Sequence, residues 1–317
     1  MTAQATLDPQ PTLRDAVRAG RSRRRRRAGL RDTVQAMAFA GPNVVLIAAF
    51  LFLPLVLAVV LSFYSYSGFG ATTWVGPDNY RQLFTDRAFW RSLANTATFA
   101  VFTVPVGMVV GLGLAVLLNS VLPGRSVYRA IIYLPMVISG IATGLIGTVM
   151  FDENIGTLNK MLRAVHVPTV DWQSSGPAAM TSVILVTLWI RLGFDMVIYL
   201  AGLQGISPEL YEAARTEGAN GWQTFRSITV PLVGPSTFFL LIMNVIYTFQ
   251  MFDTVFVLTN GGPGYSTEVL GTYAYKTGFG PPRAQGYAAA IGVVIFGLTL
   301  AFTVFQWRAN KSRDLTG

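Results

Sequence analysis

The chain has 317 residues, of which 52% are hydrophobic and 12% charged, with a mean hydropathy of +0.48. Soluble domains carry about a quarter charged residues, so this balance points to a membrane protein. Cysteine is absent and His166 is the single histidine, which excludes disulfides, Cys chemistry and Cys/His metal sites.

Residues 1–36 form a basic tail whose core is RAGRSRRRRRAGLR, residues 18–31. Its Ala/Gly/Thr/Gln-rich surroundings lack the aromatic interleaving of a nucleic-acid site, so topogenic charge beside anionic lipid headgroups is the expected role, in a disordered cytoplasmic segment. The tail has the look of a signal-peptide n-region. The apolar run behind it is much longer than a signal h-region of about 7–15 residues, and SFYSYSGFG offers no small-residue cleavage site, so the tail is expected to stay attached.

A bilayer core about 30 Å thick needs roughly 20 apolar residues per helical crossing. Windows of that kind fall at about 41–63, 96–118, 129–151, 180–203, 235–258 and 287–307. The expectation is an all-α membrane protein in which residues 37–310 form one domain of six transmembrane helices, followed by a short C-tail, 311–317. Gly107 and Gly111 in the second window, and Gly140 and Gly144 in the third, give G-x-x-x-G spacing and imply close helix packing. His166, in the connection KMLRAVHVPTVDW, reads as a solvated loop residue.

Lys and Arg set the orientation. With the N-terminus inside, sixteen of the 24 fall on the cytoplasmic side and seven outside, Arg191 lying within the fourth window. Both termini and the 204–234 connection then face the cytosol. Ionisable groups inside a span are functional candidates by default. Arg191 and Asp195, four apart, share a helix face and can neutralise each other. Asn244, Gln250 and Asp253 form a polar stripe in the fifth window suited to hydroxyl-rich solutes, although polar residues also serve as interhelical glue.

The connection PELYEAARTEGANGWQTFRSITVPLVGP, residues 208–235, is polar and Ala/Gly-punctuated. Ser207 is placed to cap a helix that starts at Pro208 and Glu209, Gly218 to break it, and Pro231 to end a second short helix around Trp222–Ile228. Small residues at 213, 214, 218 and 219 permit close approach to another surface, and Tyr211, Trp222 and Phe225 are aromatic anchors. A plug for another protein and an amphipathic helix on the headgroups both fit this composition.

This segment resembles the cytoplasmic loop of binding-protein-dependent ABC importer permeases: Glu212-Ala213-Ala214, Gly218, Ile228 and Pro231 match its pattern in register, with Val230 in place of the usual Leu. WVGPDNYRQLFTDRAFWRSLANT (74–96), WIRLGFDMVIYLAGLQGISPELYEAA (189–214) and FDTVFVLTNGGPGYSTEVLGTYAY (252–275) resemble segments of the carbohydrate class, the maltose-type and glycerol-3-phosphate-type permeases. The large external domain of the maltose-type subunit is missing. The resemblance implies the type I permease fold in a bacterial inner membrane, paired with a second homologous permease as a heterodimer.

It also implies two cytosolic ATPases holding ATP and magnesium, which this chain would not bind, and an extracytoplasmic binding protein, periplasmic or lipoprotein. Tyr211, Glu212, Ala213, Ala214, Gly218, Trp222, Ile228 and Pro231, within 207–231, would then couple to the ATPases. A secondary transporter is the competing transport class, but no convincing inverted repeat is visible. A polytopic scaffold or enzyme is a third, weakened by the lack of a paired-acid, nucleophilic or metal constellation.

Overall fold

The computed structural model describes residues 35, 37–120 and 123–314, with side chains through residue 310. The expected basic tail therefore lies outside the described residues except for Gln35. The chain divides into two units, Met1–Leu57 and Ala58–Gly317.

Helix α1, Met37–Leu61, begins in the first unit and ends in the second. In the first unit it turns through a π-helical stretch, Ala48–Phe52, with no buried side chain; Phe39, Val44, Phe50 and Leu51 all stand exposed. Apolar side chains uncovered all round need lipid or protein about them.

The second unit continues with a short antiparallel pair, β1 (Tyr64–Ser65) and β2 (Thr73–Trp74), in which Tyr64 faces Trp74. Helix α2 (Asp78–Thr85) leads to α3 (Arg87–Asn119), 33 residues that match the second expected span and extend it at its N-terminal end. Asp86 caps α3 by accepting from the N–H groups of Ala88 (2.8 Å) and Phe89 (3.4 Å). The same carboxylate accepts from the hydroxyls of Tyr273 and Tyr287, joining three separate stretches of chain.

The third expected span is not one helix. Helices α4 (Arg125–Val137) and α5 (Gly140–Met150) meet at 100°. Ile138 and Ser139 are extended between them, and the Ser139 hydroxyl caps α5 by accepting from Ala142 N–H at 3.2 Å. A hydropathy window averages across such a break and cannot register it. The short amphipathic helix α6 (Thr157–Ala164) follows, then α7 (Gly176–Gln204), which matches the fourth window. His166 is exposed, as expected, with a left-handed backbone (φ 61°).

After α8 (Pro208–Thr216), helix α9 (Gly221–Leu232) passes through a π-helical turn and bends by 63° into α10 (Gly234–Phe249). The expected continuous fifth span, 235–258, ends early: α10 stops at Phe249, Phe252 adopts φ −141° and ψ −60°, and α11 occupies only Asp253–Leu258. Helix α12 (Leu270–Phe279) precedes α13, which runs from Gln285 to Asp314 and so carries helix beyond the expected end at 307. Among the described residues, four helices are long and apolar enough to cross a membrane, or up to six if each bent pair is one crossing.

The core forms where α3 lies along α7. Phe99, Val183, Val186 and Ile190 pack with Met251, Val255 and Leu258, while Ala115, Met196, Tyr199 and Leu200 pack with Leu240. The glycine spacings mark close approaches. A Cβ on Gly107 would stand 2.9 Å from Asp195 Oδ2, and one on Gly111 would stand 2.7 Å from Asp195 Cβ. Gly140 and Gly144 sit equally close to Asp253 and Val257 of α11.

Candidate functional site

Within the core of the second unit, three of the sequence-selected polar residues meet. Asn244, on α10, accepts at Oδ1 from Arg191 Nη2 (2.8 Å) and Nε (3.3 Å) and donates from Nδ2 to Asp195 Oδ1 (3.0 Å). Arg191 and Asp195 share a face of α7 as their spacing predicts. Among the described residues they make no direct ion pair, and Asn244 stands as the bridge. Its amide orientation follows from chemistry, since arginine only donates and an ionised carboxylate only accepts.

Asp195 and Asn244 are buried. A carboxylate there is tolerable because its partners compensate the lost water. The Arg191 guanidinium lies over the rings of Phe194 (4.6 Å) and Tyr247 (4.5 Å), a geometry that favours a cation over an aromatic face. Asn244 engages two of its five N–H groups and leaves three for other partners. Thr103, Thr187 and Thr248 join Arg191, Asp195 and Asn244 around a small cleft. The hydroxyls of Thr103 and Thr248 turn back to the carbonyls of Phe99 and Asn244, whereas that of Thr187 is buried without a partner among the described residues. These threonines escaped the sequence reading. Thr248, four residues after Asn244 on the same helix, was the available signal.

Gln250 and Asp253 do not complete the expected stripe. The helix ends before them, so six- and three-residue spacings no longer place them on one face with Asn244, and both are exposed at the break between α10 and α11.

The 207–231 segment forms a helical hairpin in the same unit. Pro208 occupies the first turn of α8 with Glu209 beside it, a favourable start because proline lacks the orphan N–H and the acid opposes the helix dipole. Ser207 stands at the cap position, yet its hydroxyl makes no capping bond, contrary to expectation. Gly218 is left-handed (φ 79°), and Ala219 N–H reaches Ala214 O (2.9 Å) while Gly218 N–H reaches Arg215 O (3.1 Å), the paired closing bonds of a Schellman turn.

Asn220, which sequence reasoning passed over, then caps α9: its Oδ1 accepts from Gln223 N–H (2.9 Å) and Gln223 Oε1 accepts from Asn220 N–H (2.8 Å). The second helix ends at Leu232, one residue past Pro231, before the break into α10. Tyr211 Oη and Thr229 Oγ1 lie 3.3 Å apart and tie the two arms. Trp222 stacks on Phe225 at 5.7 Å and is 68% exposed. Glu212 and Ala213 are exposed, while Ala214 and Ile228 are half-buried.

Residues 103–313 match the family model described as binding-protein-dependent transport system inner membrane component. A trehalose/maltose transport system permease protein of Thermococcus litoralis is 33% identical over 75% of this chain and 80% of its own length. An sn-glycerol-3-phosphate transport system permease protein of Agrobacterium fabrum is 32% identical over 86% of this chain and 93% of its own. Among solved structures, one chain of a bacterial ABC transporter involved in the import of the acidic polysaccharide alginate superposes with a TM-score of 0.79 at 26% identity, covering 92% of this chain and all of that one. The chain therefore belongs to the binding-protein-dependent transport system inner membrane component family, as a multi-pass permease subunit of an ABC importer that is not itself an enzyme.

Proposed function

We propose that this chain forms half of a pathway for a sugar or sugar-like solute: an oligosaccharide, a disaccharide or a glycerophosphate-type molecule. It pairs with a second homologous permease as a heterodimer. Two cytosolic ATPases, which hold ATP and magnesium, drive it through residues 207–231, and an extracytoplasmic binding protein delivers the solute. The six crossings are α1, α3, the α4–α5 pair, α7, α10 as the continuation of the cytosolic hairpin arm α9, and α13, with both termini in the cytosol. Relatives whose names specify trehalose/maltose and sn-glycerol-3-phosphate transport support the solute class.

The observation that carries the reading is continuity. The hairpin arm α9 runs through a single 63° bend into α10, and α10 bears Asn244, the bridge between Arg191 and Asp195. A push on exposed Glu212, Ala213 and Trp222, with half-buried Tyr211 and Ala214 beside them, is thereby delivered to the polar cleft, where Arg191 and the threonines meet a hydroxylated solute. Gln250 and Asp253, exposed at the next break in the chain, receive the solute beside it. Glu212 has no side-chain partner among the described residues and is left for a basic group on the ATPase.

The test is Gly218→Val and Glu212→Lys in the purified complex, assayed for ATP hydrolysis with loaded binding protein. Valine at a positive φ is strained even where, as here, no atom lies within 4 Å of the new Cβ. Both variants are expected to insert normally, to lose stimulated hydrolysis roughly ten-fold or more (about 1.4 kcal/mol of coupling), and to release the ATPase from the membrane. Unaltered stimulation and ATPase retention in both would reduce the hairpin to an interfacial loop.

A further inference from the structure

The connection between α5 and α7 is held by a network of hydrogen bonds around a short helix, although sequence reading treats it as a loop. Asp152 Oδ1 accepts from the N–H groups of Asn154 and Ile155, both at 2.8 Å. Glu153 accepts from the Ser174 hydroxyl (2.9 Å) and from the N–H groups of Gln173 (2.9 Å) and Ser174 (2.6 Å). Asn159, on α6, is buried and saturated: its Nδ2 donates to Glu153 O and Val170 O, and its Oδ1 accepts from Val170 N–H and Trp172 Nε1. Leu158 packs against the core cluster to which Phe151 belongs.

Helix α6 is thereby fixed between the end of α5 and the start of α7. Its apolar positions, Leu158, Met161, Leu162 and Val165, follow the i, i+3, i+4, i+7 rule of a single stripe. The protein covers only part of that stripe: Met161 is 63% and Val165 67% exposed, and Ile155 just before the helix is 69% exposed. Lys160 and Arg163 are exposed and form no ion pair among the described residues.

We propose that Thr157–Ala164 is an interfacial lipid anchor, in which Ile155, Met161 and Val165 enter the headgroup–acyl boundary and Lys160 and Arg163 hold the phosphates of anionic lipid. The anchor rests on the proposed crossings of its flanking helices. A helix with part of its apolar stripe uncovered, set where two spans end and with its free cations on the opposite, polar face, has the amphipathic character of elements that lie in the membrane surface. Anionic lipid supplies the complementary charge, each nearby cation strengthening the association about five-fold. The anchor fixes the depth of the α5 and α7 ends while the hairpin arm moves.

The experiment uses the full chain with its partner subunits in nanodiscs, spin-labelled at Met161→Cys, Val165→Cys or Leu185→Cys on a background free of other thiols. Oxygen should reach the labels at 161 and 165 better than a water-soluble nickel complex does, at headgroup–acyl depth, and adding loaded binding protein should not change this. Water-like exposure at both positions overturns the anchor, as does shielding that develops only with binding protein, which would make α6 a protein-docking face. The label at 185, within α7, separates this failure from failure of the crossing assignment, because a water-exposed Leu185 would overturn that assignment first. Phosphatidylglycerol in place of phosphatidylcholine should raise the melting temperature, and Lys160→Gln with Arg163→Gln should diminish that gain. An undiminished gain in the double variant, or the same gain from inorganic phosphate in phosphatidylcholine discs, overturns the lipid-phosphate assignment.

Discussion

Asn244 bears on two charges at once, which makes it the most sensitive side chain of the polar cleft. Replacing it with leucine removes three hydrogen bonds to ionised partners and leaves Asp195 buried without an amide donor. Hydrogen bonds to charged groups contribute roughly 1.5–3 kcal/mol each in water-soluble proteins, whereas interhelical bonds in membranes average about 0.6 kcal/mol, so Asn244→Leu is expected to cost about 2 kcal/mol. Reversible unfolding of the purified chain in mixed micelles measures this. Because the residues act as one network, adding Asp195→Leu to Asn244→Leu should cost less than the two separate losses together, and strict additivity would refute the coupling. Arg191 and Asp195 were legible as ionisable groups in an apolar run. That a third side chain would stand between them depended on where α10 crosses α7, which no spacing within either helix encodes.

A second residue carries a pH signature. Burial alone would raise the pKa of Asp86, but hydrogen bonds from Tyr273, Tyr287, Ala88 and Phe89 outweigh it, and the net value lies below the ordinary 3.8. A carboxylate with a lowered folded-state pKa contributes stability that is present above its unfolded-state value, near 3.9, and is lost as pH falls through the folded-state value. The thermal midpoint of the wild-type chain should therefore drop below about pH 4. Asp86→Asn, which cannot titrate, should flatten that part of the profile and lower the plateau at neutral pH. An unchanged acid limb in the variant would assign the loss to other carboxylates. Tyr273, the partner hydroxyl, is pushed above its usual range by burial and by this same bond, so it remains a donor throughout the window.

At the scale of elements, the bends are what separate the folded chain from its hydropathy profile. Helix α4 contains Pro135 and ends at extended Ile138, and Gly140 then approaches Asp253 closely enough that a Cβ would lie 2.9 Å from its side chain. The proline and the glycine were visible in the sequence. The 100° turn they permit was not, because it is stabilised by α5 packing against α11, a contact between segments more than 100 residues apart. The hairpin behaved differently. Its left-handed Gly218 and its helical arms follow from local chemistry and were legible residue by residue, whereas the Asn220–Gln223 cap was overlooked because it opens only one turn of α-helix. Asn220→Ala should destabilise that turn by about 1 kcal/mol. Hydrogen exchange would detect this as roughly five-fold faster exchange at Gln223 and Thr224, with no change in α7. Unchanged exchange would mean that tertiary contacts alone hold the turn.

On the scale of the whole molecule, the distribution of charge makes the most exacting demand. Sixteen of the 24 Lys and Arg residues fall on one side of the proposed six crossings, but nine of them belong to residues 1–36, so the asymmetry elsewhere is seven against seven. Orientation then depends on the tail, which is consistent with a rule that weighs cations close to the first span most heavily. The bent pairs sharpen the question, since a pair that turned back instead of crossing would reverse every later connection. Single cysteines at Arg125, Asn220 and Ser312 sample three proposed cytosolic positions on a chain with no native thiol. An impermeant maleimide added to intact cells should label none of the three, and all three should label once the membrane is opened. If the α4–α5 pair turned back, Asn220 would label from outside while Arg125 stayed protected, and Ser312 would report whether the α9–α10 pair restored the count. Labelling at Arg125 itself would show that the arginine-rich tail does not set the orientation of the first two crossings, and the hairpin could then no longer be assigned to the side on which ATP is hydrolysed.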